Sequence, residues 1–246
     1  MKKIVILQLR PDEIAETEFS AFLKWGELNK NNIHRIRMEE NGIPVDVHAT
    51  DYAAVVVGGG PSNVSDDEEK KSDIQKKFES DLFRILDEVV ENDVPYFGAC
   101  YGFGILSKHR GACVSKEKYS EDVTAVTIKV NKVGMKDELL KGLPTEFRAF
   151  VGHKEACQSV PKDAILLASS DTCPVQMYRV KNNIYATQFH PEMDTEEIIN
   201  RINVYKHAGY FPPEDAGKLI KDAEQENIII PQKIFKRFVN KYYRGQ

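Results

Sequence analysis

Short β-branched and apolar runs alternate along this chain with longer amphipathic stretches, the pattern of an open, mainly parallel sheet with helices packed on both faces. Ile4–Gln8 predicts a first strand and residues 12–28 a helix. Residues 53–57 predict a buried strand that runs into Gly58-Gly59-Gly60. The clearest helix spans Asp73–Asn92, where Ile74, Phe78, Leu82, Ile85, Leu86 and Val89 fall on one face at helical spacing. The charged residues 66–71 are expected to start that helix, with their acids near its N-terminus. Tyr96–Ala99 predicts the next strand, and residues 103–107 the opening of another helix. Further strands are expected at 123–130, 147–151, 165–169, 175–180 and 184–188, and their short connections imply some antiparallel pairing. Asp194 and Glu197 have the spacing of a capping box for a helix reaching about residue 206. Beyond it two more helices are predicted, with Pro213 and Pro231 in their first turns. The last carries an apolar stripe, Ile234, Phe235, Phe238, Val239 and Tyr242, expected to pack on the body of the same domain. The expected organisation is one α/β domain over residues 1–208 with a helical extension over 209–246.

Composition narrows the function classes. With 246 residues, 41% hydrophobic and 29% charged, the chain can bury a sizeable core. Its net charge of -4 supplies no global basic field, so nucleic acid is not expected as a partner. No apolar run approaches the ~20 residues of a membrane span, so no membrane partner is expected either. The first residues, Met1-Lys2-Lys3-Ile4-Val5-Ile6-Leu7, read better as a strand than as a signal peptide. Cys100, Cys113, Cys157 and Cys173 show no Cys-x-x-Cys spacing, which argues against a zinc site and a disulfide framework; no metal or cofactor is expected. A cytoplasmic location suits a chain that needs a free thiol.

The chemistry is concentrated in two segments about ninety residues apart. Gly98-Ala99-Cys100-Tyr101-Gly102 follows an apolar run and has the form of a strained strand-to-helix turn that exposes a nucleophile. Gln188-Phe189-His190-Pro191-Glu192 follows another such run. His190 can take the thiol proton. Glu192, two residues on along an extended chain, lies on the same side to orient it. A helix N-terminus beneath Cys100 would favour the thiolate and offer backbone N–H groups to an oxyanion, and an activated thiol is expected to alkylate fast near neutral pH.

These motifs resemble those of the class I (triad) glutamine amidotransferases, and the Cys-Tyr-Gly form is most similar to the glutaminase domain of GMP synthase. Val55-Val56-Val57-Gly58-Gly59-Gly60-Pro61-Ser62 resembles that family's oxyanion loop. Val151-Gly152-His153-Lys154-Glu155 resembles its substrate-contacting strand end. The resemblance runs in order to about Glu192. It implies a flavodoxin-like α/β fold, Cys100, His190 and Glu192 as a catalytic triad, and Gly59, Gly60, Tyr101, Gly152 and His153 as oxyanion or substrate-binding residues. The chain departs from the family at Gly104, where glutamine is usual, and at Gly152, where the GMP synthase type usually has serine.

The implied activity is hydrolysis of the glutamine amide through a thioester, giving glutamate and ammonia. Neither a phosphate-cradling Ser-Gly-Gly loop nor a Walker A pattern occurs, so an ATP-dependent amination would need a partner in the form of a separate synthetase subunit. Three readings stand: a stand-alone amidotransferase, a γ-glutamyl hydrolase or peptidase on the same scaffold, and a non-catalytic binding or regulatory protein.

Overall fold

The computed structural model describes residues 2–207 and 211–245. Among the described residues eleven strands form two sheets: β1 Ile4–Gln8, β2 Ile33–Arg37, β3 Ala54–Val57, β4 Tyr96–Ala99, β5 Val114–Ser115, β6 Glu121–Val130, β7 Glu146–His153, β8 Ala156–Cys157, β9 Ala164–Ser169, β10 Met177–Val180 and β11 Ile184–Thr187. The helices are α1 Asp12–Gly26, α2 Met38–Asn41, α3 Asp73–Asn92, α4 Tyr101–His109, α5 Thr195–Tyr205, α6 Ala216–Glu224 and α7 Ile230–Val239, the last continued by a π turn over Asn240–Arg244.

The large sheet runs β2-β1-β3-β4-β11-β10-β9-β6-β7, and β5 pairs with β8 apart from it. From β2 through β11 every pairing is parallel; from β11 to β7 every pairing is antiparallel. Alternation along β1 feeds two cores. Val5 and Leu7 pack with α3 and α4 on one face, and Ile4 and Ile6 with α1 and α7 on the other. A doubly covered parallel sheet places its functional groups beyond the strand C-termini, here those of β1, β3, β4 and β11.

The apolar stripe of α7 closes the second core: Phe235 lies 5.2 Å from Phe22 and 5.6 Å from Phe97 between ring centroids. The expected boundary between residues 208 and 209 falls outside the described residues. Three local expectations are corrected. Residues 66–71 precede α3 rather than start it, because Ser72 caps the helix through Gln75 N–H and Lys71 turns inward to Glu79. Asp194 caps α5 by accepting from Glu197 N–H at 3.0 Å, but the Glu197 side chain bonds Arg201 instead of closing the box. Pro213 opens a short 3-10 turn ahead of α6 rather than α6 itself.

Candidate active site

Cys100 stands between the end of β4 and the start of α4 with φ 51° and ψ −93°, a conformation that side chains with a Cβ rarely adopt. Its N–H donates to Thr187 O of the neighbouring β11 at 2.9 Å, and its carbonyl accepts from Gly104 N–H at 2.9 Å. Two glycines make room for the turn. A Cβ at Gly98 would lie 2.6 Å from the Gly102 carbonyl oxygen, and one at Gly102 would lie 2.6 Å from that of Val57. Both obstacles are backbone and cannot step aside.

Because β11 lies beside β4, the segment after it arrives next to Cys100. His190 N–H donates to Phe150 O of β7 at 3.2 Å. His190 Nδ1 lies 2.8 Å from Glu192 Oε1, so Nδ1–H points at the carboxylate and Nε2 remains an acceptor. Burial would raise the Glu192 carboxyl, but His190 and the Arg201 guanidinium outweigh it and hold that group well below the usual carboxylate range. Burial pushes the His190 imidazole down to about 4, against the pull of Glu192 and with help from Arg201 and Arg10. Burial also pushes the Cys100 thiol up to about 11, with Arg10 pulling the other way. Arg201 Nη1 lies 3.2 Å from the same Nδ1, a close approach of two donors once Nδ1 carries its proton, and among the described residues no hydrogen bond of the His190 ring reaches Cys100 Sγ.

The glycine loop after β3 completes this group. A Cβ at Gly59 would lie 2.8 Å from His190 Cε1 and 2.6 Å from Arg10 Nη2, so the loop backbone packs directly against the imidazole. Gly60 lines two neighbouring clefts. Tyr101 N–H sits in the first turn of α4, where no carbonyl one turn back can accept it. The Tyr101 side chain is tied elsewhere, its hydroxyl donating to Glu79 Oε1 at 2.8 Å. Gly152 lines both clefts as well. His153 borders the Cys100 cleft, but both its ring nitrogens are taken, Nε2 by Glu121 Oε2 at 2.7 Å and Nδ1 by Glu155 O at 2.8 Å.

Several residues that the motifs do not single out belong to the same region. Arg10, at the end of β1, donates through Nε to Glu18 Oε1 at 3.0 Å. Arg201 of α5 reaches Glu192 at 2.8 Å and Glu197 at 3.1 Å. Glu18 and Arg201 are charges on the apolar faces of amphipathic helices, between Ala15 and Phe19 and between Ile198 and Ile202, and that misplacement is their sequence signal. Glu155 accepts from Val64 N–H at 2.7 Å and Ser65 N–H at 2.8 Å, tying the glycine loop to the end of β7. It also stands beside Gly104, whose Cβ would meet Val64 Cγ2 at 3.3 Å and Glu155 Oε1 at 3.6 Å.

Glu121, His153 and Cys173 bring buried ligand-type atoms within 4.8 Å of one another. The His153 nitrogens are already committed, and Glu121 also accepts from Gln176 Nε2 at 2.7 Å and from Ser170 Oγ at 3.1 Å, so the cluster works as a hydrogen-bond hub. Burial alone would raise the Glu121 carboxyl, but the bonds from His153, Thr172 and Gln176 hold it below its ordinary value. Glu121→Ala would leave these donors without an acceptor and is expected to cost about 3–5 kcal/mol in urea unfolding, while the Glu121→Gln variant loses less.

A chain with this thiol turn, this His-Glu pair and this glycine loop can be placed by comparison. The family model described as glutamine amidotransferase class-I matches residues 26–202. The chain belongs to that family. It is 25% identical over 232 residues to a GMP synthase [glutamine-hydrolyzing] from Streptomyces avermitilis, covering 90% of this chain but only 40% of that protein. One subunit of the GMP synthase [glutamine-hydrolyzing] from Pyrococcus abyssi is 30% identical over 149 residues, 60% of this chain and 70% of that one. A solved glutamine amidotransferase from Thermotoga maritima superposes with a TM-score of 0.77 at 20% identity, covering 97% of this chain and 99% of the other. The fold is therefore that of the class I glutamine amidotransferases. No helix among the described residues is long and apolar enough to cross a membrane.

Proposed function

We propose that this amidotransferase-family chain hydrolyses the side-chain amide of glutamine, with Cys100 as nucleophile, His190 as proton carrier and Glu192 as its orienting carboxylate. The observation that carries the reading is the pairing of β4 with β11, which sets the strained Cys100 turn beside a His190 whose Nδ1 is held by Glu192. His190 Nε2 takes the thiol proton as sulfur attacks the amide carbon. The oxyanion is received by the Tyr101 N–H and the glycine loop at Gly59 and Gly60. His190 then gives the proton to departing ammonia, and water cleaves the thioester to release glutamate. Glu155, beside Gly104, supplies a carboxylate opposite the substrate's α-ammonium in place of the family's usual glutamine. A separate synthetase subunit in the cytoplasm would consume the ammonia; the Pyrococcus relative is itself named as one subunit of a GMP synthase, which supports such a division of labour.

The test is release of glutamate and ammonia from L-glutamine by purified protein. His190→Gln is expected to lower kcat by about 1,000-fold or more. Equal release by both proteins, or none by the wild type, rejects the reading.

A further inference from the structure

Two neighbouring clefts open at the candidate site, one lined by Cys100 and the other by His190, and the glutaminase reading uses the first. The first, about 400 Å³, is lined by Cys100, Gly104, Glu155 and Gln188. The second, about 430 Å³, is lined by His190 itself, Arg10, Arg201 and an apolar wall that includes Val123, Ile198 and Ile202. They share Gly60 and Gly152, so the two clefts adjoin along those glycines. When a thioester forms, the imidazole protonates the leaving nitrogen, so the leaving half departs on the imidazole side. Ammonia needs no apolar wall.

We infer that the second cleft is a leaving-group subsite, and that the site takes γ-glutamyl amides of apolar α-amino acids as well as glutamine. The inference rests on the Cys100–His190 reading above and names the substrate class of that same site. The apolar wall receives the amino acid side chain. Arg10 is the anchor for its carboxylate. The guanidinium is buried, its Nε and Nη1 serve Glu18 and Tyr205, and Nη2 is turned toward Gly59 and His190. Gly152 adds room on the same side, because a Cβ there would stand 3.2 Å from Val123 Cγ2 on the cleft wall. The reaction balances without a co-reactant other than water. Sulfur bonds the γ-carbonyl carbon as its C–N bond breaks, the thiol proton leaves on the amine through His190, and water then cleaves the C–S bond and restores the thiol.

The experiment compares kcat/KM of the full chain for L-glutamine, γ-glutamyl-leucine and γ-glutamyl-isopentylamide, the analogue of the second without its carboxylate. γ-Glutamyl-leucine is expected to exceed each of the other two by about tenfold or more, the scale of one filled apolar pocket or one charge-assisted bond. Val123→Phe, which narrows the wall at a half-buried position, is expected to lower the γ-glutamyl-leucine to glutamine ratio by about tenfold. Ile202→Trp is the second filling variant should the first fail to fold. Turnover of glutamine but not of γ-glutamyl-leucine, or a ratio unmoved by a folded filling variant, overturns the inference and leaves the glutaminase reading standing. Silence on all three substrates removes both.

Discussion

Replacing Cys100 by alanine or by glycine is expected to abolish glutamine hydrolysis, a loss of at least ~10⁴-fold in kcat, while the two variants separate in stability. Both lack the sulfur, so neither can form the thioester. The backbone distinguishes them. At φ 51° and ψ −93° an alanine keeps the Cβ strain that cysteine carries, whereas glycine is free of it. The glycine variant should therefore unfold at higher urea than the alanine variant, by about 1–2 kcal/mol, even after the extra entropy that glycine gains when unfolded. The pair of measurements separates chemistry from scaffold. Equal stabilities would mean that the turn relaxes without strain. Residual hydrolysis in either variant would mean that another group attacks the amide.

The strained turn was legible because it demands glycine on both sides of the nucleophile, and Gly98 and Gly102 abut backbone atoms that leave no alternative. The parallel half of the sheet was legible for a similar reason. β1, β3, β4 and β11 are buried on both faces and read as unbroken apolar runs. β2 was not, because Ile33-His34-Arg35-Ile36-Arg37 lies at the sheet edge and only its isoleucines face the core. The charged support of the site was equally hard to read. Arg10, Glu18 and the Glu197–Arg201 pair come from three separated elements, and beyond the i,i+4 spacing of that pair nothing local joins them. His153 shows a different limit. Its motif marks it as a substrate contact and it does border the Cys100 cleft, but the motif gives no sign that β6 places Glu121 to take its Nε2.

The same burial that assembles the site sets its response to pH. With the thiol pushed up to about 11 and the imidazole down to about 4, the free protein holds a neutral Cys100–His190 pair between those values. Burial thus works against the expectation of a thiol that alkylates fast near neutral pH, and the alkylation rate decides between the two. Only about one thiol in 10⁴ is ionised at pH 7, so iodoacetamide should label Cys100 slowly and about tenfold faster per pH unit up to the thiol's own value. Catalysis does not require a standing ion pair, because His190 can take the proton as sulfur attacks. The acid limb of kcat/KM should then fall only below about 4, where His190 becomes protonated and ceases to act as a base. Stability follows with a definite sign. In the unfolded chain the imidazole takes up its proton near 6.5, but the folded protein resists this until about 4, so the unfolded state binds more protons across that interval. The contribution is complete above 6.5 and is lost progressively as pH falls to about 4, amounting to about 3 kcal/mol. Glu192, whose folded carboxyl lies below its ordinary value, adds a loss of the same sign at lower pH. The His190→Gln variant should flatten the upper part of this dependence in urea titrations. Fast alkylation that stays constant from pH 5 to 8 would show a thiolate–imidazolium pair already formed, and would mean that Arg10 and the start of α4 outweigh burial at the sulfur.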